Sequence, residues 1–225
     1  TRKESSAASD VYKRQEPTTQ HKAPARQLFS ERYRLGTLAL WLTYFMGLLV
    51  IYLTMGWLPT LLRDGGLSIE RAATITGLFQ IGGAVGAIVV GWIMDRRNPN
   101  RVIAIAYALG GLCIVSLGAL SLESSLLVVG VAAAGFCMSG AQTGLNAFAP
   151  GYYPTEFRAT GVSWMLGIGR FGAIFGSLIG GAVLSLGLGL PLLFTLLGLP
   201  AFAAALAILA NGHARLRATP AVTAP

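Results

Sequence analysis

Six long apolar stretches, at about 35–62, 72–94, 102–122, 126–147, 160–186 and 191–210, constrain this chain more than anything else in it. Each is near or above the roughly 20 residues that an α-helix needs to cross about 30 Å of hydrocarbon. None shows the short in-out alternation of a barrel strand, and helices or closed barrels are what can satisfy backbone polar groups within a bilayer. The expected fold is all-α and integral to a membrane, with six transmembrane helices. Their connections are short enough to run neighbours antiparallel. Composition agrees: 54% of the 225 residues are hydrophobic and 12% charged, whereas soluble domains carry about a quarter charged. Mean hydropathy is +0.63.

The net charge of +8 raises the question of nucleic acid, but the basic residues flank apolar spans instead of clustering on a folded module. A nucleic-acid partner is therefore not expected. Cys113 and Cys137 lie inside apolar spans, and His21 and His213 lie in polar tails. Neither a disulfide framework, a metal nor a cofactor is implied. Residues 1–15, with the string DVYKRQ, have no apolar region behind them as a signal peptide would, and they resemble a cloning or assembly remnant. Residues 16–36 form a basic lead-in, 37–210 the helical body and 211–225 a polar tail. The chain also lacks an initiator Met, which fits a fragment.

Orientation follows from Lys and Arg near the spans. Lys22, Arg26, Arg32, Arg34, Arg96, Arg97, Arg101, Arg158, Arg215 and Arg217 fall on one side, and Arg63 and Arg71 on the other. Ten against two places both ends of the chain in the cytoplasm.

Arg170 is the most informative single residue. It sits about ten residues into the fifth span, roughly 15 Å deep at 1.5 Å per residue, and is the sole residue deep within any span that is charged at neutral pH. A charge there is expensive and points to a wet cavity or an anionic partner. The competing reading is a structural Arg paired elsewhere in the bundle. Ser163, Arg170 and Ser177 share one helix face, and Gly172, Gly176 and Gly180 line roughly the opposite one, as close helix packing requires.

Further candidates are polar residues on other spans. Ser139, Gln142 and Asn146 recur at helical spacing on the fourth, and Thr76 and Gln80 lie a turn apart on the second. Such amides either hydrogen-bond a polar solute or tie helices together. On the first span Trp41, Tyr44, Leu48 and Tyr52 share a face. Tyr44 and Tyr52 are deep enough to stack on a ring, whereas Trp41 and Trp57 suit an interfacial belt.

Two connections add motifs. The second reads Gly91-Trp92-Ile93-Met94-Asp95-Arg96-Arg97-Asn98-Pro99-Asn100-Arg101 and resembles the cytoplasmic loop motif of the major facilitator superfamily. That resemblance makes Asp95 a bracing carboxylate in one gating state, with Gly91, Arg96 and Arg101 in the same motif. The bland alternative is that these charges anchor the interface. The fourth connection and fifth span read Tyr153-Pro154-Thr155-Glu156-Phe157-Arg158-Ala159-Thr160-Gly161-Val162-Ser163-Trp164 and Gly167-Ile168-Gly169-Arg170-Phe171-Gly172. With Gly56-Trp57-Leu58-Pro59-Thr60-Leu61 and Leu78-Phe79-Gln80-Ile81-Gly82-Gly83, they resemble the aromatic acid:proton symporter family of that superfamily. The likeness runs over about 28–210.

That resemblance implies the C-terminal six-helix half of a proton-coupled importer of benzoate-, hydroxybenzoate- or phenylpropionate-like anions in a bacterial inner membrane. Arg170 then helps bind the substrate carboxylate, with Gln80, Gln142, Asn146, Tyr44 and Tyr52 around it. Glu156 and Arg158 form a cytoplasmic charge pair that changes partners during gating. Protons, lipid and an N-terminal six-helix half are the implied partners. Asp64, Glu70, Asp95, Glu123 and Glu156 all lie at span ends or in connections, so proton coupling is expected in the absent half. Other carriers remain open, for hydroxy acids, shikimate or sugar acids, as does a stand-alone six-helix protein. An enzyme is disfavoured, because the spans hold no metal-spaced His/Cys set, buried carboxylate pair or activated nucleophile.

Overall fold

Polar caps, more than the apolar runs, decide where several helices begin. The computed structural model describes residues 24–121, 124–185 and 190–218. The opening stretch 1–15, His21, Lys22 and Glu123 lie outside these residues. A short helix α1 (Pro24–Leu28) precedes six long ones: α2 (Arg34–Asp64), α3 (Ile69–Met94), α4 (Pro99–Leu117), α5 (Ser125–Tyr152), α6 (Arg158–Ser185) and α7 (Leu190–Ala218). The Ser68 hydroxyl accepts from the Arg71 amide at 3.3 Å, so α3 starts before the apolar run does. Asn98 caps α4 through its side chain, with Pro99 in the first turn, where a missing N–H costs nothing.

All six long helices are apolar and long enough to cross a membrane. Most expected ends shift by a few residues, in both directions, and α7 runs on to Ala218 through part of the expected polar tail. α4 stops at Leu117 instead of 122, and α5 continues through Pro150 to Tyr152 instead of ending at 147. The lead-in also holds more structure than its polarity implied. Leu28 of α1 is fully buried, and Phe29 meets Trp41 edge-on at 5.7 Å between ring centroids.

The helices form an open arc. α3 packs along α5, α5 along α4, α4 along α7, α7 along α2 and α2 along α6, while α2–α3, α2–α5, α3–α4 and α5–α6 touch sparsely. The arc ends at α3 and α6, which flank a mouth. Exchanging α2, α3 and α4 for α5, α6 and α7 reproduces the five close packings, the mark of an inverted internal repeat.

Glycine sets the two tightest contacts. A Cβ on Gly172 or Gly176 would strike the backbone carbonyl of Phe45 or Leu49 on α2. On the other wall, a Cβ on Gly82 or Gly86 would strike that of Ala132 or Phe136 on α5. Backbones come this near only where side chains are absent. Polar ties complete the core. The Tyr107 hydroxyl donates to Gln142 Oε1 at 2.6 Å, and Asn211 Nδ2 donates to the Gly36 carbonyl at 2.9 Å.

Candidate functional site

Arg170 lies midway along α6, and its packing follows from its neighbours. Gly169 receives the Tyr44 ring and Leu48, and Gly172 the backbone of Phe45, which turns Arg170 out of the α2–α6 seam. Its side chain is exposed. Among the described residues it makes neither an ion pair nor a hydrogen bond. Ser163, Gly167 and Ile174 lie on the same open side. Further round α6, Trp164 stacks on Trp41, with centroids 5.9 Å apart and planes 23° apart.

The other candidates divide into two groups. Gln80 on α3 and Asn146 on α5 are exposed, and Tyr52 on α2 is 41% exposed. Tyr44 and Gln142 are each 6% exposed and sit within the packing. Tyr44 fills the space that Gly169 leaves, and the Gln142 amide lies with the Tyr107 hydroxyl against Gly47. Of the two readings open for an amide, Gln142 takes the helix-tying one in this conformation. Its Nε2 is buried without a partner. Thr143, passed over in the sequence, is exposed with Asn146; the signal was its place three residues before Asn146. Trp57, read as a belt residue, packs on Gly180 and Gly181 and donates its indole N–H to the Ser177 carbonyl at 3.0 Å.

Among the described residues, Asp95, Arg96, Arg101, Glu156 and Arg158 form no ion pair in this conformation. Among the described residues the ion pair present is Arg63 with Asp64, at 3.8 Å. Asp95 is the exposed residue that closes α3. Arg96 folds back, its guanidinium 3.9 Å from the Trp92 ring centroid and donating to the Trp92 carbonyl at 3.0 Å. Gly91 has open space where a Cβ would lie, and Arg101 is exposed. The expected Glu156–Arg158 pair is not formed. Arg158 Nε instead donates to the Tyr153 carbonyl at 3.3 Å, one of the acceptors a helix end leaves free.

Six membrane-length helices in an open arc, with an exposed cation midway along one of them, place this chain among multi-pass membrane proteins. The family model of the Major Facilitator Superfamily matches residues 10–125 and 40–223, and the chain belongs to that superfamily. It is a multi-pass membrane protein of a transporter family, not an enzyme family. Over 219 residues, 97% of this chain and 49% of the relative, it is 96% identical to a gallate transporter of Pseudomonas putida. That alignment reaches into residues 1–15. Identity is 51% to the 4-hydroxybenzoate transporter PcaK of Pseudomonas aeruginosa, covering 82% of this chain and 41% of the relative. It is 37% to the 3-(3-hydroxy-phenyl)propionate transporter of Escherichia coli, covering 74% and 41%. The chain spans about half the length of the curated relatives it matches.

Proposed function

We propose that this chain supplies the anion-binding six-helix portion of a proton-coupled importer of aromatic carboxylates. The observation that carries the proposal is Arg170: a cation midway along a membrane helix, exposed and unpaired among the described residues. A guanidinium fork matches a carboxylate in both charge and geometry. Exposed Gln80, Thr143 and Asn146 offer hydrogen bonds around it, and Tyr52 an aromatic face. The three relatives described above carry gallate, 4-hydroxybenzoate and 3-(3-hydroxy-phenyl)propionate, which supports the same substrate class.

Among the described residues no helix lies across the mouth between α3 and α6, and the relatives are about twice as long, so transport takes place in a longer protein whose further helices close it. Asp64, Asp95 and Glu156 are exposed in connections or at helix ends, and Glu70 is exposed in the first turn of α3. Proton coupling therefore belongs to carboxylates elsewhere in the carrier. Both ends of this chain face the cytoplasm, and the membrane is the bacterial inner one. Asp95, Glu156 and Arg158 exchange partners as the carrier changes state.

Uptake assays on a full-length carrier containing this sequence test the proposal. With membrane abundance equalised, Arg170→Lys and Arg170→Ala should abolish most uptake of hydroxybenzoates, and aliphatic acids should be poor substrates throughout. Undiminished aromatic uptake in both variants would remove Arg170 from the site.

A further inference from the structure

The two glycine seams have the same register, and that register singles out one residue opposite Arg170. On α6, Gly172 and Gly176 rest on the carbonyls of Phe45 and Leu49; on α3, Gly82 and Gly86 rest on those of Ala132 and Phe136. Both pairs are spaced by four residues, and so are both pairs of carbonyls. Superposing the seams by the internal repeat brings Gly82 onto Gly172 and Gly86 onto Gly176. The residue two before the first glycine is Arg170 on one helix and Gln80 on the other. Gln80 is thus the repeat-equivalent of Arg170.

The equivalence fixes depth as well as direction. α3 and α6 run antiparallel, and an inverted repeat exchanges the two membrane faces while leaving the midplane in place. Arg170 is midway along Arg158–Ser185, and Gln80 is near the middle of Ile69–Met94. The two side chains therefore stand on opposite walls of the mouth at matching depth. Both are exposed, and among the described residues the Gln80 amide, like the guanidinium, has no hydrogen-bond partner. An amide left open at mid-membrane is costly unless it meets water or a polar solute.

We infer that Gln80 reads the ring substituent of the substrate whose carboxylate Arg170 holds. An amide donates and accepts, which suits a phenolic hydroxyl and gives nothing to a bare ring edge. The division of labour assigns charge recognition to α6 and hydroxyl recognition to α3, selecting hydroxylated over unsubstituted aromatic acids. This inference rests on the aromatic-carboxylate reading above.

The test is competition uptake of 4-hydroxybenzoate and benzoate by the full-length carrier, normalised to its abundance in the membrane. Gln80→Met, close in size but without an amide, should lower kcat/KM for 4-hydroxybenzoate relative to benzoate by roughly tenfold, the worth of one lost hydrogen bond. Gln80→Asn should keep part of that preference, and Arg170→Gln should depress both acids. Equal scaling of the two acids by Gln80→Met, or no change, would overturn the assignment while leaving Arg170 in place. Should Gln80→Met fail to reach the membrane, Gln80→Asn and Gln80→Ser decide the point by the same ratio. Normal uptake of both acids by Arg170→Gln would instead bring down the parent reading and this one with it.

Discussion

A guanidinium halfway through a bilayer needs water or an anion within reach, because hydrocarbon alone penalises it by several kcal/mol. That rule makes Arg170 legible from sequence: a lone charge in an apolar run admits few explanations. The amides were less legible. Gln142 and Asn146 fall close together on a helical projection, yet Gln142 is buried and Asn146 exposed. The difference comes from Tyr107 on α4, whose hydroxyl takes the Gln142 oxygen at 2.6 Å. A partner 35 residues away in sequence leaves no mark on local spacing. Tyr107→Phe should therefore destabilise the bundle by about 1–3 kcal/mol, since it strands the remaining polar end of a buried amide. Thermal unfolding in detergent measures this, and Tyr107→Phe with Gln142→Leu should recover part of the loss. A single variant as stable as the parent would show that the bond contributes nothing.

Helices meet here by backbone approach, so the glycines are the elements' fastening points. Gly172 and Gly176 were readable as a packing stripe from their spacing alone, and the structure bears that out against Phe45 and Leu49. Alanine at both positions forces α2 and α6 apart, with a cost of about 1–3 kcal/mol for each overpacked site. Gly77 and Gly167 make the control, because nothing lies within 4 Å of a Cβ at either. Alanine there should be neutral, or stabilising by up to about 1 kcal/mol through helix propensity. The contrast is read from unfolding temperatures of the paired variants. Equal effects at seam and open positions would contradict the packing described. Helix ends were less accurately foreseen, for two physical reasons. Polar first turns such as Ser68-Ile69-Glu70-Arg71 do not register as apolar, and Pro150 does not interrupt α5, although proline commonly marks a boundary.

At the scale of the whole molecule, six membrane helices were evident from hydropathy, whereas the arc was not. Which helices lie side by side depends on matched glycine registers between segments 50 residues apart in one seam, Gly82 to Ala132, and 127 apart in the other, Phe45 to Gly172, and hydropathy carries no record of that. The arc leaves α3 and α6 as the two sides of a mouth, with Arg170 on one and Gln80 on the other. The most direct test of the account is calorimetric titration of the purified full-length carrier with 4-hydroxybenzoate and with its neutral methyl ester. The parent should bind the acid and largely ignore the ester, and Arg170→Gln should weaken acid binding by about thirtyfold or more and erase the discrimination. Equal binding of acid and ester by the parent, or an Arg170→Gln variant that still tells them apart, would contradict it.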